Sequence, residues 1–299
     1  MFLNIYEDNK LTEVNDKSSI YFYYDPNTTQ NAQRTVNFAV KTLVAKTNKN
    51  KDFFDNMTFY IMDDYKNTPK SSIFTKFIKR KADNIHTAGI TINPVYNLNK
   101  KEIAINTNPT NWFIRQLHSP RFNNYRNSAE LKEVTLHEIG HLFDAYFGEE
   151  PSSDVQAASE NLINNTEVFD VLWEYICTSE LSDSEEFKKA WRDDLEILAQ
   201  RGDCKVLQDN LGYFSPEFFT NEIDITDGID DKELNSSDKE RSEVFAQAFA
   251  YALGSDSELF NKDLFKTVYK KSINLVKKYI TKNLGINLDL MNAPLAYKN

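Results

Sequence analysis

The chain has 299 residues and a formal charge of −10, with 40% apolar and 13% aromatic residues. That composition excludes disorder over most of the chain, and length sets one large domain or two modest ones as the starting expectation. The acidic balance argues against a nucleic-acid partner, and two cysteines with no CxxC pair exclude both a disulfide framework and a cysteine metal site. Only four histidines occur, and two of them lie four residues apart.

The first residues, MFLNIYEDNK, place charges at Glu7, Asp8 and Lys10 where a Sec signal needs about 7–15 apolar residues. No apolar run is long enough to span a membrane. These features predict a soluble protein made in the cytosol, with export by a leaderless route still compatible.

Ser19–Tyr24 (SIYFYY) reads as a strand ending at the turn Asp25-Pro26-Asn27. Gln30–Lys46 follows, with Val36, Ala39, Val40, Leu43 and Val44 at helical spacing. Met57–Met62, Ala88–Asn93 and Glu102–Thr107 are further strands, the last two joined by a polar turn. From residue 110 the patterns are helical. Strands early and helices late predict an α+β fold with a small mixed or antiparallel sheet, followed by a mainly helical part.

Leu131–Phe147 is the clearest helix, with Ser128, Glu130 and Glu133 as an acidic N-terminal turn and Gly148 as a stop. Helices are also expected at 167–178, 184–200 and Asp263–Lys282; the last, with seven lysines from Lys262 to Lys282, reads as a terminal helix packed on the core with its lysines outward. The basic stretch Lys66–Lys81 reads as a solvated face, and Cys177 and Cys204 as reduced core residues. Residues 221–240 form a charged loop.

Residues 137–141 read His-Glu-Ile-Gly-His, an HExxH motif. Helical positions i and i+4 share a face roughly 6 Å apart, so His137 and His141 can reach one tetrahedral zinc ion. Glu138 lies about 100° around the helix and can take a proton from a metal-bound water, whose pKa zinc lowers to about 7. The implied chemistry is hydrolysis of a carbonyl compound, most often a peptide. Gly140 costs about 1 kcal/mol of helix stability against Ala, which close approach of another element would explain.

A third ligand is required. Asp144 and Phe147 stand where a metzincin carries Gly and His, which excludes that class. Asp144 suits a role behind a histidine better than direct ligation. Two glutamates remain. Glu160 has the separation from His141 known in thermolysin-like enzymes but lacks their NExxSD context. Glu243 lies in an alanine-rich helical run, Ser242–Ala250, with Gln247 one turn on, where it can hydrogen-bond a ligand histidine. Glu243 is the favoured ligand of the two.

HEIGHLFDAYFG at 137–148 resembles the HExGHxxDxY zinc helix of the anthrax lethal factor family of metallopeptidases, gluzincins with a zincin-like fold. SEVFAQAF at 242–249 is similar to that family's EFFAEAF-type helix, and an amphipathic C-terminal helix over Tyr269–Ile280 also fits. The resemblance implies His137, His141 and Glu243 as zinc ligands and Glu138 as general base. It also implies a site-specific endopeptidase of the toxin or effector type acting on a protein or peptide, which lies as an added strand along Ala88–Asn93 or Glu102–Thr107. On this reading residues 1–299 form one metallopeptidase domain, with an N-terminal lobe at 1–148 and a helical lobe at 149–299. The latter holds an inserted subdomain at about 150–235. The family's oxyanion-stabilising Tyr is Ser236 here, so Tyr213, Tyr251, Tyr146 and His118 are candidate substitutes. A zincin-fold binding module with little or no activity is the alternative that this departure raises.

Overall fold

A computed structural model describes residues 4–7, 19–63, 89–92, 101–107, 127–148, 180–201, 210–211, 214–216, 237–257 and 261–290. The strands are β1 (Asn4–Glu7), β2 (Ser19–Tyr24), β3 (Met57–Met62), β4 (Gly89–Ile92) and β5 (Lys101–Asn106). The helices are α1 (Gln30–Lys46), α2 (Ser128–Tyr146), α3 (Glu185–Arg201), α4 (Asp238–Ala252), α5 (Lys262–Val268) and α6 (Lys270–Leu284). Among the described residues every strand precedes residue 107 and only helices and turns follow, a mixed architecture that is mostly helical.

The sheet has the order β1-β2-β3-β5-β4. It is mixed, but β1, β2, β3 and β5 run parallel and only β4 is antiparallel, paired with β5. The expected antiparallel character is therefore confined to one edge. The reason lies in the connections: α1 carries the chain from β2 back to the start of β3, which makes their pairing parallel, whereas β4 and β5 are neighbours in sequence as well as in the sheet. Among the described residues β4, not β5, is the edge strand of that pair.

Burial follows from this placement. Every residue of β5 is buried, including Lys101 and Glu102, as in a sheet covered on both faces. Lys101 donates from Nζ to the carbonyls of Phe53 (2.6 Å) and Asp52 (3.2 Å) and sits 4.4 Å from the ring centre of Tyr146. Burial lowers its pKa to about 8 despite the opposing charges of Asp55 and Asp52.

One apolar core runs from Ile20 to Ile286 through sheet and helices. α2 is at its centre, packed against α1, α4, β4 and β5, and α4 packs in turn on α6. Phe143 of α2 joins these layers, with ring centres 6.0 Å from Phe53, 5.0 Å from Phe249 and 6.3 Å from Phe245. The expected Asp263–Lys282 helix is two helices, broken at Tyr269, whose buried hydroxyl donates to the Phe214 carbonyl. Of the expected insertion, residues 180–201, 210–211 and 214–216 are described, and the first of these supplies α3; the helix expected at 167–178, Lys66–Lys81 and both cysteines lie outside the described residues. No helix among the described residues is long and apolar enough to cross a membrane.

Candidate metal centre

α2 opens with Asn127 as its cap: the Asn127 side chain accepts from Glu130 N at 3.0 Å, and Glu130 Oε2 accepts from Asn127 N at 3.3 Å. This reciprocal box sets where the helix begins and hence which residues share its inner face. Leu131, Val134, Leu142 and Phe143 pack into the core, and the same burial encloses Glu133, His137, Glu138 and Asp144.

α4 lies against this face at unusually short range. A Cβ on Gly140 would be 2.9 Å from Ala246 Cα and 2.9 Å from its carbonyl oxygen, closer than side chains pack. Glycine at 140 and alanine at 246 thus let the two backbones touch, and Glu243, one turn before Ala246, reaches the two histidines.

Three donors converge. His137 Nε2 and His141 Nε2 are 3.2 Å apart, and Glu243 Oε2 lies 3.1 Å from the first and 3.5 Å from the second. An ion held tetrahedrally with bonds of about 2.0–2.1 Å separates its donors by roughly 3.3 Å. The triangle matches that edge length on all three sides, and the donor set of two imidazoles and one carboxylate suits a divalent transition metal. This group could hold a metal ion. The His141 and Glu243 side chains retain about a fifth of their exposure, at 21% and 22%.

The charges are strongly coupled. Burial pushes the His141 pKa down, but the Glu243 carboxylate, by charge and hydrogen bond, outweighs it, with Glu138 and Glu180 adding, and raises it to about 9. Burial acts upward on Glu243, yet the two histidines hold it well below the usual carboxylate range.

Behind each histidine stands a polar side chain of α4. His137 Nδ1 lies 3.0 Å from Gln247 Oε1, the contact expected for Gln247. His141 Nδ1 lies 3.2 Å from Ser242 Oγ, which donates to Asp144 Oδ2 at 3.4 Å, while Asp144 Oδ1 accepts from Ser182 N at 2.7 Å. Asp144 therefore acts through Ser242 and not by direct contact with the histidine. Burial raises the pKa of Asp144 against the pull of its Ser182 bonds, and raises that of Glu180 well above the usual carboxylate range, Asp144 adding to it. Arg241, fully buried, pairs with Asp183 and lies over Trp191, fixing α4 to the turn that supplies Ser182.

Of the other anticipated residues, Glu138 is buried next to His137 on α2 and its charge acts on His141. Tyr251 does not join the donors; its buried hydroxyl faces Glu133 Oε1 at 3.5 Å. Tyr146 donates to Asp52 at 2.8 Å and is likewise elsewhere. Tyr213, Glu160, Ser236 and His118 lie outside the described residues. Sequence reasoning does not find two of the participants, Ser242 and Glu133. A signal for Glu133 exists, since it precedes His137 by one helical turn and so shares its face. No protein-family model matches the chain, and no curated protein or solved structure gives a significant match to it.

Proposed function

We infer that the chain is a zinc-dependent endopeptidase of gluzincin type, with a zincin-like arrangement of sheet and helices and the site-specific habit of toxin or effector proteases. The observation that carries this reading is the triangle of His137 Nε2, His141 Nε2 and Glu243 Oε2, with Glu138 on the same helix. The resemblance to the lethal factor family in residues 137–148 and 242–249 adds to it.

When bound, zinc would polarise a substrate carbonyl and acidify a water molecule. His137, His141 and Glu243 would hold it, and the two imidazoles are oriented for that by Gln247 and Ser242. Glu138 would accept the proton of the attacking water and pass it to the leaving amine. β4 is an edge strand beside α2, so an extended peptide could add to it by main-chain hydrogen bonds and present its scissile bond to the centre. With Tyr251 engaged by Glu133, that hydroxyl has no part in the proposed chemistry.

The test uses purified protein and a peptide library. Wild type and Glu138→Gln are each expected to hold about one zinc per chain, Glu243→Ala to lose it, and only wild type to cleave, in a chelator-sensitive way. Full zinc occupancy in Glu243→Ala would reject the ligand assignment. Zinc binding without any chelator-sensitive cleavage would favour a zincin-fold binding module.

A further inference from the structure

Glu133 is a fully buried carboxylate that the proposed chemistry does not use. It is surrounded by donors: Gln247 Nε2 at 3.1 Å and Tyr251 Oη at 3.5 Å on Oε1, and Ser257 N at 3.3 Å on Oε2. Tyr251 belongs to α4 and Ser257 to the turn beyond it, so one side chain of α2 gathers the whole C-terminal end of α4.

The donor and acceptor inventory makes this contact directional. Gln247 turns its NH2 towards Glu133, whose two oxygens accept from Gln247 Nε2 and Ser257 N, and a carboxylate oxygen in that role excludes the flipped amide. Its amide oxygen then faces His137, and an amide oxygen also only accepts. His137 must therefore carry a proton on Nδ1, which leaves the lone pair on Nε2, the atom that faces His141 and Glu243. If Gln247 were flipped, its NH2 would meet Nδ1, favour the proton on Nε2 and block ligation. We propose that Glu133 is the positioning residue of the metal centre, fixing the metal-binding tautomer of His137 through Gln247 although it touches neither the histidine nor the ion. This rests on the metal-centre reading above.

The symmetry of the site supports it. His141 is served by Ser242 and Asp144 in the same sense, a carboxylate of α2 acting through a neutral side chain of α4. Each ligand histidine thus has a buried carboxylate on its own helix, Glu133 one turn before the first and Asp144 one turn after the second.

The test compares zinc affinity, by chelator competition, in wild type, Glu133→Gln, Gln247→Met and the double variant, together with long-range proton–nitrogen NMR of the zinc-loaded imidazoles. In Glu133→Gln the new amide can donate to Gln247, so its orientation is no longer enforced. Zinc affinity is expected to fall about 10–100-fold, as for other groups behind a ligand, and the hydrogen-bonded Nδ1 proton of His137 to weaken or vanish. In the Gln247→Met background the Glu133→Gln change should have no further effect on affinity. A thermal midpoint of metal-free Glu133→Gln near that of wild type separates positioning from a loss of folding. Wild-type affinity and an intact Nδ1 proton in Glu133→Gln would overturn the proposal, and so would an equal loss in the Gln247→Met background. Failure of wild type itself to bind zinc would instead overturn the metal reading, and this inference with it.

Discussion

Gly140→Ala sets two physical effects against each other with opposite signs. In an isolated helix the change is favourable by about 1 kcal/mol, because alanine loses less backbone entropy than glycine. Here the added Cβ would meet Ala246 Cα and its carbonyl oxygen at 2.9 Å and Phe249 Cβ at 3.1 Å. Carbon atoms in ordinary contact stand about 3.5–4.0 Å apart, so α4 must retreat by roughly 0.5–1 Å. Overpacking of this kind costs about 1–3 kcal/mol, which leaves a net destabilisation of about 0–2 kcal/mol where propensity alone predicts a gain. The retreat carries Glu243 with it, and a constellation of this sort tolerates only about 0.5 Å. Zinc affinity should fall by about tenfold or more, measured by chelator competition, with stability followed by urea denaturation of the metal-free protein. Because the clash is with the backbone of residue 246, Ala246→Gly should not rescue it. A Gly140→Ala variant that gained about 1 kcal/mol and bound zinc as wild type does would refute the reasoning.

Arg241→Met leaves Asp183 with 11% side-chain exposure and no guanidinium, and should cost about 3–5 kcal/mol in urea denaturation. Replacing both partners by apolar residues should recover most of that loss. Lys101 has a folded pKa of about 8 against about 10.4 unfolded, so between those values the unfolded state binds more protons and stability rises with pH. Relative to Lys101→Met, wild type should therefore carry a penalty of about 3 kcal/mol below pH 8 that declines towards pH 10.5; parallel stability–pH curves for the two proteins would contradict the lowered pKa. Glu102→Gln removes the charge from the carboxylate that accepts from Tyr60 at 3.2 Å within the buried sheet, far in sequence from the donor triangle. Its zinc affinity should equal that of wild type.

How much of the fold is legible in the sequence depends on the range of the forces involved. β2, α1 and β3 have the bounds that the apolar patterns predict, because β2 and α1 each bury one regular face and β3 is a short apolar run buried on both. β1 gives no such signal: four residues, NIYE, are too few to show a period, and the strand exists through parallel pairing with β2. Strand direction is equally hidden, since local alternation does not encode which neighbour a strand takes. The apolar pattern of α5 and α6 runs unbroken through Tyr269, so the break is set by a partner distant in sequence, the carbonyl of Phe214. By position alone Glu133 is a charge complementing the helix N-terminus. Its burial follows from Gln247, Tyr251 and Ser257, none of which is near it in the chain.

The candidate centre is more legible than the fold around it, and the reason is geometric. Its donors come from two helices, and a helix fixes the relation of residues three and four apart without help from the rest of the chain. Within α2 the run Glu133, His137, His141, Asp144 is one such stripe, and within α4 Glu243 and Gln247 are another. What the sequence could not supply is the register of one stripe against the other. That register is fixed by the backbone contact at Gly140 and Ala246 and by the Arg241–Asp183 pair that holds the start of α4. Taken singly, the HExxH segment fits any helix with two histidines on one face, and the alanine-rich run with its glutamate fits any closely packed helix. Their juxtaposition at donor distances of 3.1–3.5 Å is what turns them into one site.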